Sequence, residues 1–478
     1  MASSRKSSKS KARPRDLAAR LLARLAPIVL PGDRLVVGLS GGVDSMALLD
    51  CMQRVAARLG VRLGALHVNH QLSPNAGAWD AFCRRQCKAR GVRYASVRVV
   101  VSRAESVEAA ARDARYSVFA RQRADYIVLA QHQDDQVETL VLQLLRGAGV
   151  KGLAAMPLLR KSEGRSQKAE GVQGRRGVYP LPVTHHPSPG LLRPLLEVTR
   201  AEILEYAAKR RLEWIEDESN ASIDFRRNFL RHEVLPVIAR CFPSYRVTVA
   251  RSAGHLAEAA ELLDELAAQD AADAFDGVTL AVAALRRLPS ARARNLLRFF
   301  LARRGVIMPN VERLEEALRQ AQTARQDARV AIDLGSTTLR RYLGRLYLVP
   351  ALSPLPRSYA RSWRGERKVA LPELGGVLVA RRTRGTGISM ARLRSAPVTV
   401  RLRRGGERLK PDCRRPSRSL KNLLQESQVP PWRRGCLPLL FCGSSLVWVP
   451  GAGIACDFQA VAGEASLEPR WLWQQEGG

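Results

Sequence analysis

Leucines recur at helical spacing from about residue 17 to 30, and an apolar run, Asp33–Ser40, follows. That run is short and ends in a glycine-bearing turn, the signature of a buried strand rather than a helix. A helical pattern covers Met46–Leu59, then a strand Arg62–Val68, a helix from about Trp79 to Arg90 and a strand Arg93–Val101. The alternation continues with a helix from Ser106 to about Gln122, a strand Tyr126–Ala130 and a helix from Asp134 to Leu145. Strands alternating with helices predict an α/β fold with a doubly wound parallel sheet. Ligands of such sheets bind outside the carboxyl ends of the strands. Ser40–Ser45 and Gln131–Glu138 both begin where a strand ends, so they are expected on one rim.

Beyond this block the pattern changes. Residues 160 to about 186 are polar and basic with scattered Gly and Pro, and read as an insertion. After a helix at Arg200–Arg210 comes Trp214-Ile-Glu-Asp-Glu-Ser-Asn220, then an Ala-, Leu- and Arg-rich helical module from about Glu233 to Gln326. From about Val330 onward Val, Gly and Pro become commoner, which predicts short mixed strands. The expected division is an arm at 1–16, a catalytic domain at 17–232, a helical domain at 233–345, a linker at 346–390 and a small mixed α+β domain at 391–478. Gly435–Cys456 is charge-free and long enough for a membrane span. Pro438, Gly443, Pro450, Gly451 and Gly453 break it into strands and turns, so no membrane partner is expected.

Charge adds a partner class. The 478 residues carry 78 Lys+Arg against 44 Asp+Glu, a formal +34, while 46% hydrophobic content excludes wholesale disorder. Such an excess favours a polyanion (RNA, DNA or an anionic lipid surface), with a generally Arg-rich solvated surface as the plainer alternative. Arg381–Arg418 holds thirteen basic residues and two acids, and the first fifteen residues hold six basic groups and no acid. Eight scattered cysteines do not look like a disulfide scaffold and suit a reducing cytoplasm. His67, His70, Cys83 and Cys87 have zinc-like composition. His67 and His70, however, stand three apart in a strand and point to opposite faces.

The candidate chemistry begins at Ser40-Gly41-Gly42-Val43-Asp44-Ser45. Two glycines allow a sharp strand-to-helix turn and close backbone approach to an anion at a helix N-terminus. A carboxylate beside phosphates is repulsive without a cation between them, so Asp44 points to Mg²⁺. There is no lysine after the second glycine, so this is not the G-x-x-x-x-G-K-[ST] loop. The hexapeptide resembles the pyrophosphate motif of the PP-loop ATPases, which cleave ATP between its α- and β-phosphates. That superfamily includes GMP synthetase, asparagine synthetase, tRNA thiolation enzymes and tRNA(Ile)-lysidine synthetases.

His132-Gln-Asp-Asp-Gln-Val-Glu-Thr139, with Arg146-Gly-Ala-Gly149, resembles the second motif of the tRNA(Ile)-lysidine synthetases. Asp134 and Glu138 share a helix face, with Asp135 three residues from Glu138. Such a cluster can hold Mg²⁺, accept an ammonium or take a proton. Ala111-Arg112-x-x-Arg115-Tyr116, Arg193-Pro-Leu-Leu196, Trp214–Asn220 and Arg227-Asn-Phe-Leu-Arg231 extend the resemblance across Asp33–Arg231. A looser likeness to the family's C-terminal RNA-binding module covers about Leu402–Gly451, through Arg404-Gly-Gly-Glu-Arg408, Ser419–Leu424 and Pro430-Pro-Trp-Arg-Arg434. After the second strand the family commonly shows His-x-His-Gly-Leu-Arg, where this chain has Asn69-His-Gln-Leu-Ser73.

The resemblance implies a PP-loop ATPase domain that binds ATP at Ser40–Ser45 and adenylates the wobble cytidine of an isoleucine tRNA with a CAU anticodon. Free L-lysine then displaces AMP to give lysidine. It implies catalytic roles for Asp44, His132, Asp134, Asp135, Glu138, Arg115, Arg227 and Arg231. Asp44 and an acid such as Asp135 would hold Mg²⁺, and Glu138 is among the acids expected to meet the lysine amine. Arg403, Arg404, Lys421, Trp432, Arg433 and Arg434 are the expected RNA contacts, Trp432 by stacking. A homodimer is the oligomer considered. Two other readings stay open at this point: a tRNA thiolation enzyme, for which Cys83 and Cys87 are the available pair, and a nonenzymatic RNA-binding protein on a vestigial ATP fold.

Overall fold

A computed structural model describes residues 16–101, 107–160, 188–216, 218, 225–325, 330–350 and 359–473. The basic arm, nearly all of the 160–186 insertion, and Asp217, Ser219 and Asn220 of the WIEDESN stretch lie outside the described residues. The chain divides into two compact units, Met1–Leu263 and Asp264–Gly478.

The first unit opens with α1 (Leu17–Leu25) and then alternates β1 (Arg34–Gly38), α2 (Val43–Leu59), β2 (Arg62–Asn69), α3 (Ala76–Ala89), β3 (Arg93–Arg98), α4 (Val107–Ala120), β4 (Tyr126–Val128) and α5 (Gln133–Leu145). A short α6 (Val150–Leu153), β5 (Leu159–Arg160), β6 (Gly190–Leu192), α7 (Arg200–Lys209), α8 (Arg226–Phe229), a π-helical turn (Leu230–Val234) and α9 (Leu235–Cys241) follow. The sheet order is β3-β2-β1-β4-β6-β5. All neighbours are parallel except the β5–β6 edge pair.

The order reverses between β1 and β4, so the loops leaving these two strands face each other on one rim, as the alternation predicted. Helix α2 starts at Val43, earlier than its periodicity suggested, because Gly42 is its N-cap and the phosphate loop itself forms the first turn. Its body is apolar on nearly every side: Met46, Ala47, Leu48, Leu49, Cys51 and Met52 are all fully buried. A helix buried all round is rigidly held, which fixes the loop at its start.

Helix α10 (Tyr245–Ala271) runs from the first unit into the second. The second unit continues with β7 (Leu280–Ala281), α11 (Val282–Arg287), α12 (Ser290–Arg303), α13 (Val311–Thr323), β8 (Ala331–Asp333), β9 (Thr337–Tyr342) and β10 (Arg345–Pro350), the helices packing on a small antiparallel sheet around Phe300, Leu297 and Leu339. Next come β11 (Ala360–Ser362), β12 (Lys368–Leu371), β13 (Gly376–Arg384), β14 (Ile388–Ser389), α14 (Met390–Leu393), β15 (Val398–Arg401), β16 (Arg408–Leu409) and β17 (Arg418–Ser419). Helices α15 (Leu420–Glu426) and α16 (Pro431–Arg434), then β18 (Leu439–Cys442), β19 (Ser445–Val449), β20 (Gly453–Ile454) and β21 (Ala465–Trp473), complete it.

The charge-free run Gly435–Cys456 forms strands β18 to β20, and among the described residues no helix is long and apolar enough to cross a membrane. One feature differs from the cysteine reading: Cys413 and Cys456, 43 residues apart, form a disulfide with their Cα atoms 5.2 Å apart. The Cys456 amide donates to the Lys410 carbonyl at 2.7 Å, so tertiary pairing rather than sequence spacing brings the two together.

Candidate active site

The SGGVDS loop is organised by its own serines. Ser45 Oγ accepts from the amides of Ser40 (3.2 Å) and Gly41 (3.1 Å) and donates to the Gly42 carbonyl (3.0 Å). Gly41 has φ +94°, and a Cβ there would stand 2.9 Å from Ile215 Cδ1 and 3.2 Å from Cys83 Sγ. The Gly41 carbonyl also accepts from the Ile215 amide at 3.0 Å. Only glycine satisfies both the left-handed backbone and the lack of space. His67 Nδ1 lies 2.9 Å from the Leu39 carbonyl, so His67 and Cys83 brace the loop from beneath. Cys83 and Cys87 are fully buried, and burial pushes their thiols up to about 12 and about 11. Neither is poised as a reactive thiolate.

Three carboxylates approach the loop, which carries a fourth, Asp44, and their circumstances differ sharply. Glu138 is 1% exposed and both its oxygens are occupied. Arg231 Nε donates to Oε1 at 2.7 Å, while Arg227 Nε (2.6 Å) and an Arg231 terminal nitrogen (3.0 Å) donate to Oε2. Glu138 is therefore engaged as the buried counter-ion of two arginines, with both oxygens already accepting. Arg227 of α8 and Arg231 of the π-helical turn, four residues apart, thus converge on one carboxylate.

Asp135 is also engaged, by Arg227 at 3.0 Å and by the His132 amide at 3.0 Å. Asp134 accepts from the Arg200 amide at 3.0 Å and from Arg246 Nε at 2.5 Å. Burial alone would raise its pKa, but these two donors outweigh burial and hold Asp134 below the usual carboxylate value.

Asp44 is the exception. Its Oδ1 is buried and has no hydrogen-bond partner, and its Oδ2 lies 3.8 Å from His132 Nε2. Burial, then the neighbouring Asp135, pushes the Asp44 carboxyl above its ordinary value against the pull of His132. His132 itself is 2% exposed, with Nε2 3.5 Å from Asp135 and Nδ1 3.7 Å from Asp134. An orphaned carboxylate oxygen beside a phosphate-type loop is what a hard divalent cation would satisfy. The donor set fits Mg²⁺ at Asp44, with Asp135 facing the same cavity.

That cavity holds about 810 Å³ and is bordered by Ser40, Asp44, Asp135, Arg227 and Arg231 on one side and by Arg112, Arg115 and Tyr116 of α4 on the other. Arg115 Nε donates to His70 Nε2 at 3.4 Å. Burial first, then Arg115, pushes His70 down to about 4, so its imidazole is neutral at pH 7. The Tyr116 ring lies between Arg112 and Arg160, 5.1 and 5.4 Å from their guanidinium carbons. Burial would raise its phenol, yet Arg112 and Arg193 outweigh it and hold it below the ordinary value. The sequence motifs contain Tyr116 and Ile215 without a stated role, His70 entered among zinc-like residues, and Arg246 did not figure at all. The Arg-Tyr motif signals Tyr116, whereas nothing in the sequence marks Arg246, which meets Asp134 from 112 residues away.

In the second unit the expected RNA residues separate into two groups. Arg404 and Lys421 are exposed. Arg403 pairs with Glu407 at 3.4 Å, and Arg434 donates to the Val429 carbonyl at 2.8 Å and to the Tyr342 hydroxyl at 3.5 Å. The Trp432 ring meets Tyr342 and Tyr347 edge-on at 6.0 and 5.4 Å, with Arg340 over it at 5.5 Å. Trp432, half-buried, thus packs against β9 and β10, whose tyrosines stand some 90 residues upstream in sequence.

A parallel sheet whose first strand runs into SGGVDS at a buried helix start, facing a second loop across the switch point, defines a PP-loop ATP-binding protein. The family model for the PP-loop domain matches residues 15–238, that for the TilS substrate binding domain 280–347, and that for the TilS substrate C-terminal domain 398–473. The chain is 45% identical over 462 residues to the tRNA(Ile)-lysidine synthase of Nitrosomonas europaea, covering 96% of each chain. It is 40% identical over 450 residues to that of an Azoarcus species, covering 94% and 93%. This chain belongs to the tRNA(Ile)-lysidine synthase family. Among solved structures, the U34-tRNA thiolase NcsA from Methanococcus maripaludis is 15% identical with a TM-score of 0.40, covering 50% of this chain and 78% of that one.

Proposed function

We propose that this chain ligates free L-lysine onto C2 of the wobble cytidine of a CAU-anticodon isoleucine tRNA, consuming ATP and releasing AMP and pyrophosphate. The observation that supports it best is the cavity where an anion-binding loop, an unsatisfied Asp44 and two arginines held on Glu138 converge. ATP use follows from the PP-loop domain. Asp44 and Asp135 would hold Mg²⁺, which when bound neutralises phosphate charge beside the loop.

The cytidine C2 oxygen attacks the α-phosphorus and pyrophosphate leaves. Arg227, Arg231 and Arg115 are suited to the charge that develops on the transferring adenylate. The lysine ε-amine then attacks C2, the C2–oxygen bond to AMP breaks, and the amine loses a proton. Free lysine is mostly protonated at neutral pH, so a base must act. With Glu138 occupied, we assign that proton to His132, whose Nε2 faces both Asp44 and Asp135. Asp134 has a positioning role, holding α5 to α7 and to the start of α10. The 17–232 segment would carry the chemistry, and 233–345 with 391–478 would hold the tRNA. Such a substrate places the protein in the cytoplasm.

The test is incubation of the protein with ATP, labelled lysine and total tRNA. Label is expected in tRNA carrying a CAU anticodon. Absence of label there, or a gain of sulfur detected by mass spectrometry of that tRNA, would remove this reading.

A further inference from the structure

The last strand of the chain builds a second concavity that the chemistry above does not use. A groove of about 750 Å³ in the second unit is bordered by Trp448, Trp471 and Trp473. Trp471 and Trp473 meet edge to face, with centroids 5.6 Å apart and planes at 81°. The Arg433 guanidinium lies over the Trp473 ring, 4.8 Å from its centroid. Arg470 stands at the rim with its side chain 66% exposed, 2.9 Å from Glu468, which is not part of the lining. Among the described residues no carboxylate lines the groove. Gly451 (φ +78°) and Gly453 (φ +104°) also border it.

Aromatic rings, the Arg433 guanidinium and an Arg470 whose partner Glu468 lies outside the lining suit a flat π-system that carries negative charge. Arginine planes and aromatic rings are the usual platforms for splayed-out bases, and a base held within a duplex cannot reach them. A proline-rich peptide would also suit the indoles. It would leave Arg433 without the anion that a phosphate supplies. Trp432, the stacking residue expected from the sequence, meets Tyr342, Tyr347 and Arg340, while Arg433 turns to Trp473.

We propose that this groove captures one unpaired nucleotide of the substrate tRNA, its base against the Trp473–Arg433 stack and its phosphate at Arg470. The inference rests on the tRNA reading above and names the kind of contact the C-terminal module makes.

The experiment uses the full chain with three readouts: binding of a fluorescein-labelled single-stranded RNA hexamer, binding of a blunt duplex of the same sequence, and the tRNA KM in the lysine-transfer assay. Trp473→Ala is expected to weaken hexamer binding and raise the tRNA KM by roughly tenfold, while kcat at saturating tRNA stays close to wild type. Trp473→Phe, which keeps a stacking face and the packing, should retain most of the affinity. Arg470→Gln should lower the slope of log affinity against log salt by about one contact, and Trp473→Ala should leave that slope unchanged.

Hexamer binding and tRNA KM unchanged in Trp473→Ala overturn the proposal, as does a duplex that binds the groove as well as the single strand. Binding of a poly-proline peptide, measured alongside, also overturns it if these substitutions abolish peptide binding and leave RNA binding intact. If the wild type forms no lysidine yet Trp473→Ala loses the hexamer, the enzymatic reading fails and the groove assignment stands.

Discussion

Asp44 is the carboxylate at the site left with a buried oxygen unsatisfied. A folded-state pKa raised above the unfolded value means that its contribution to stability is greatest below the unfolded value and declines as pH rises through the folded one. At pH 7 the ionised group therefore works against folding. Asp44→Asn should raise Tm in the absence of ligands and abolish the further rise that Mg²⁺ with ATP produces in the wild type. Thermal melts with and without both ligands, alongside lysidine formation reduced by about a hundredfold or more, check this. Gln71 offers a second test at this scale. It holds φ +56° where the resembled family pattern has glycine, and its side chain reaches the Val99 carbonyl at only 3.3 Å. A left-handed residue with a Cβ costs about 1–2 kcal/mol, so Gln71→Gly should stabilise the first unit by about 1 kcal/mol in urea unfolding.

Among elements, α5 is the hub. Through Glu138 it holds Arg227 of α8 and Arg231 of the π-helical turn, and through Asp134 it holds the N-terminus of α7 and Arg246 of α10. Removing one partner of a buried ion pair costs about 3–5 kcal/mol, because the other charge is left uncompensated. Glu138→Gln should thus lower Tm and accelerate amide exchange across residues 226–241 before it affects the sheet. The Asp134 tie carries a pH signature. Its depressed pKa gives stability that is complete above the unfolded carboxylate value and is lost as pH falls through the folded one. Wild type should lose stability more steeply than Asp134→Asn in urea titrations taken from pH 6 down to pH 3. The sheet and its two rim loops were legible in the sequence because alternation and periodicity are local signals. The assignment of each acid was not, because Glu138 meets its arginines across 89 and 93 residues. The packing around Trp432 was not legible for the same reason: its neighbours belong to β9 and β10, far away in sequence.

For the molecule as a whole, the formal +34 is spread unevenly in its availability. Many arginines are committed internally, Arg403 to Glu407 and Arg434 to a carbonyl and a tyrosine among them. Each phosphate contact contributes about −0.9 to the slope of log affinity against log salt on duplex nucleic acid. Arg404→Gln and Lys421→Gln, both exposed, should each flatten the tRNA salt slope by about one contact, and Arg434→Gln should leave it unchanged while lowering Tm. Filter binding of tRNA at several salt concentrations separates the two outcomes. The Cys413–Cys456 link gives this module a history as well as a shape. A bridge closing a 43-residue loop restricts the unfolded chain by about 4 kcal/mol in the chain-entropy view, and a reducing compartment would leave it open. Protein purified in air and protein handled under thiol are then two differently durable preparations of one enzyme. A melt of the second unit that does not shift on adding reductant would show that the link contributes nothing to that durability.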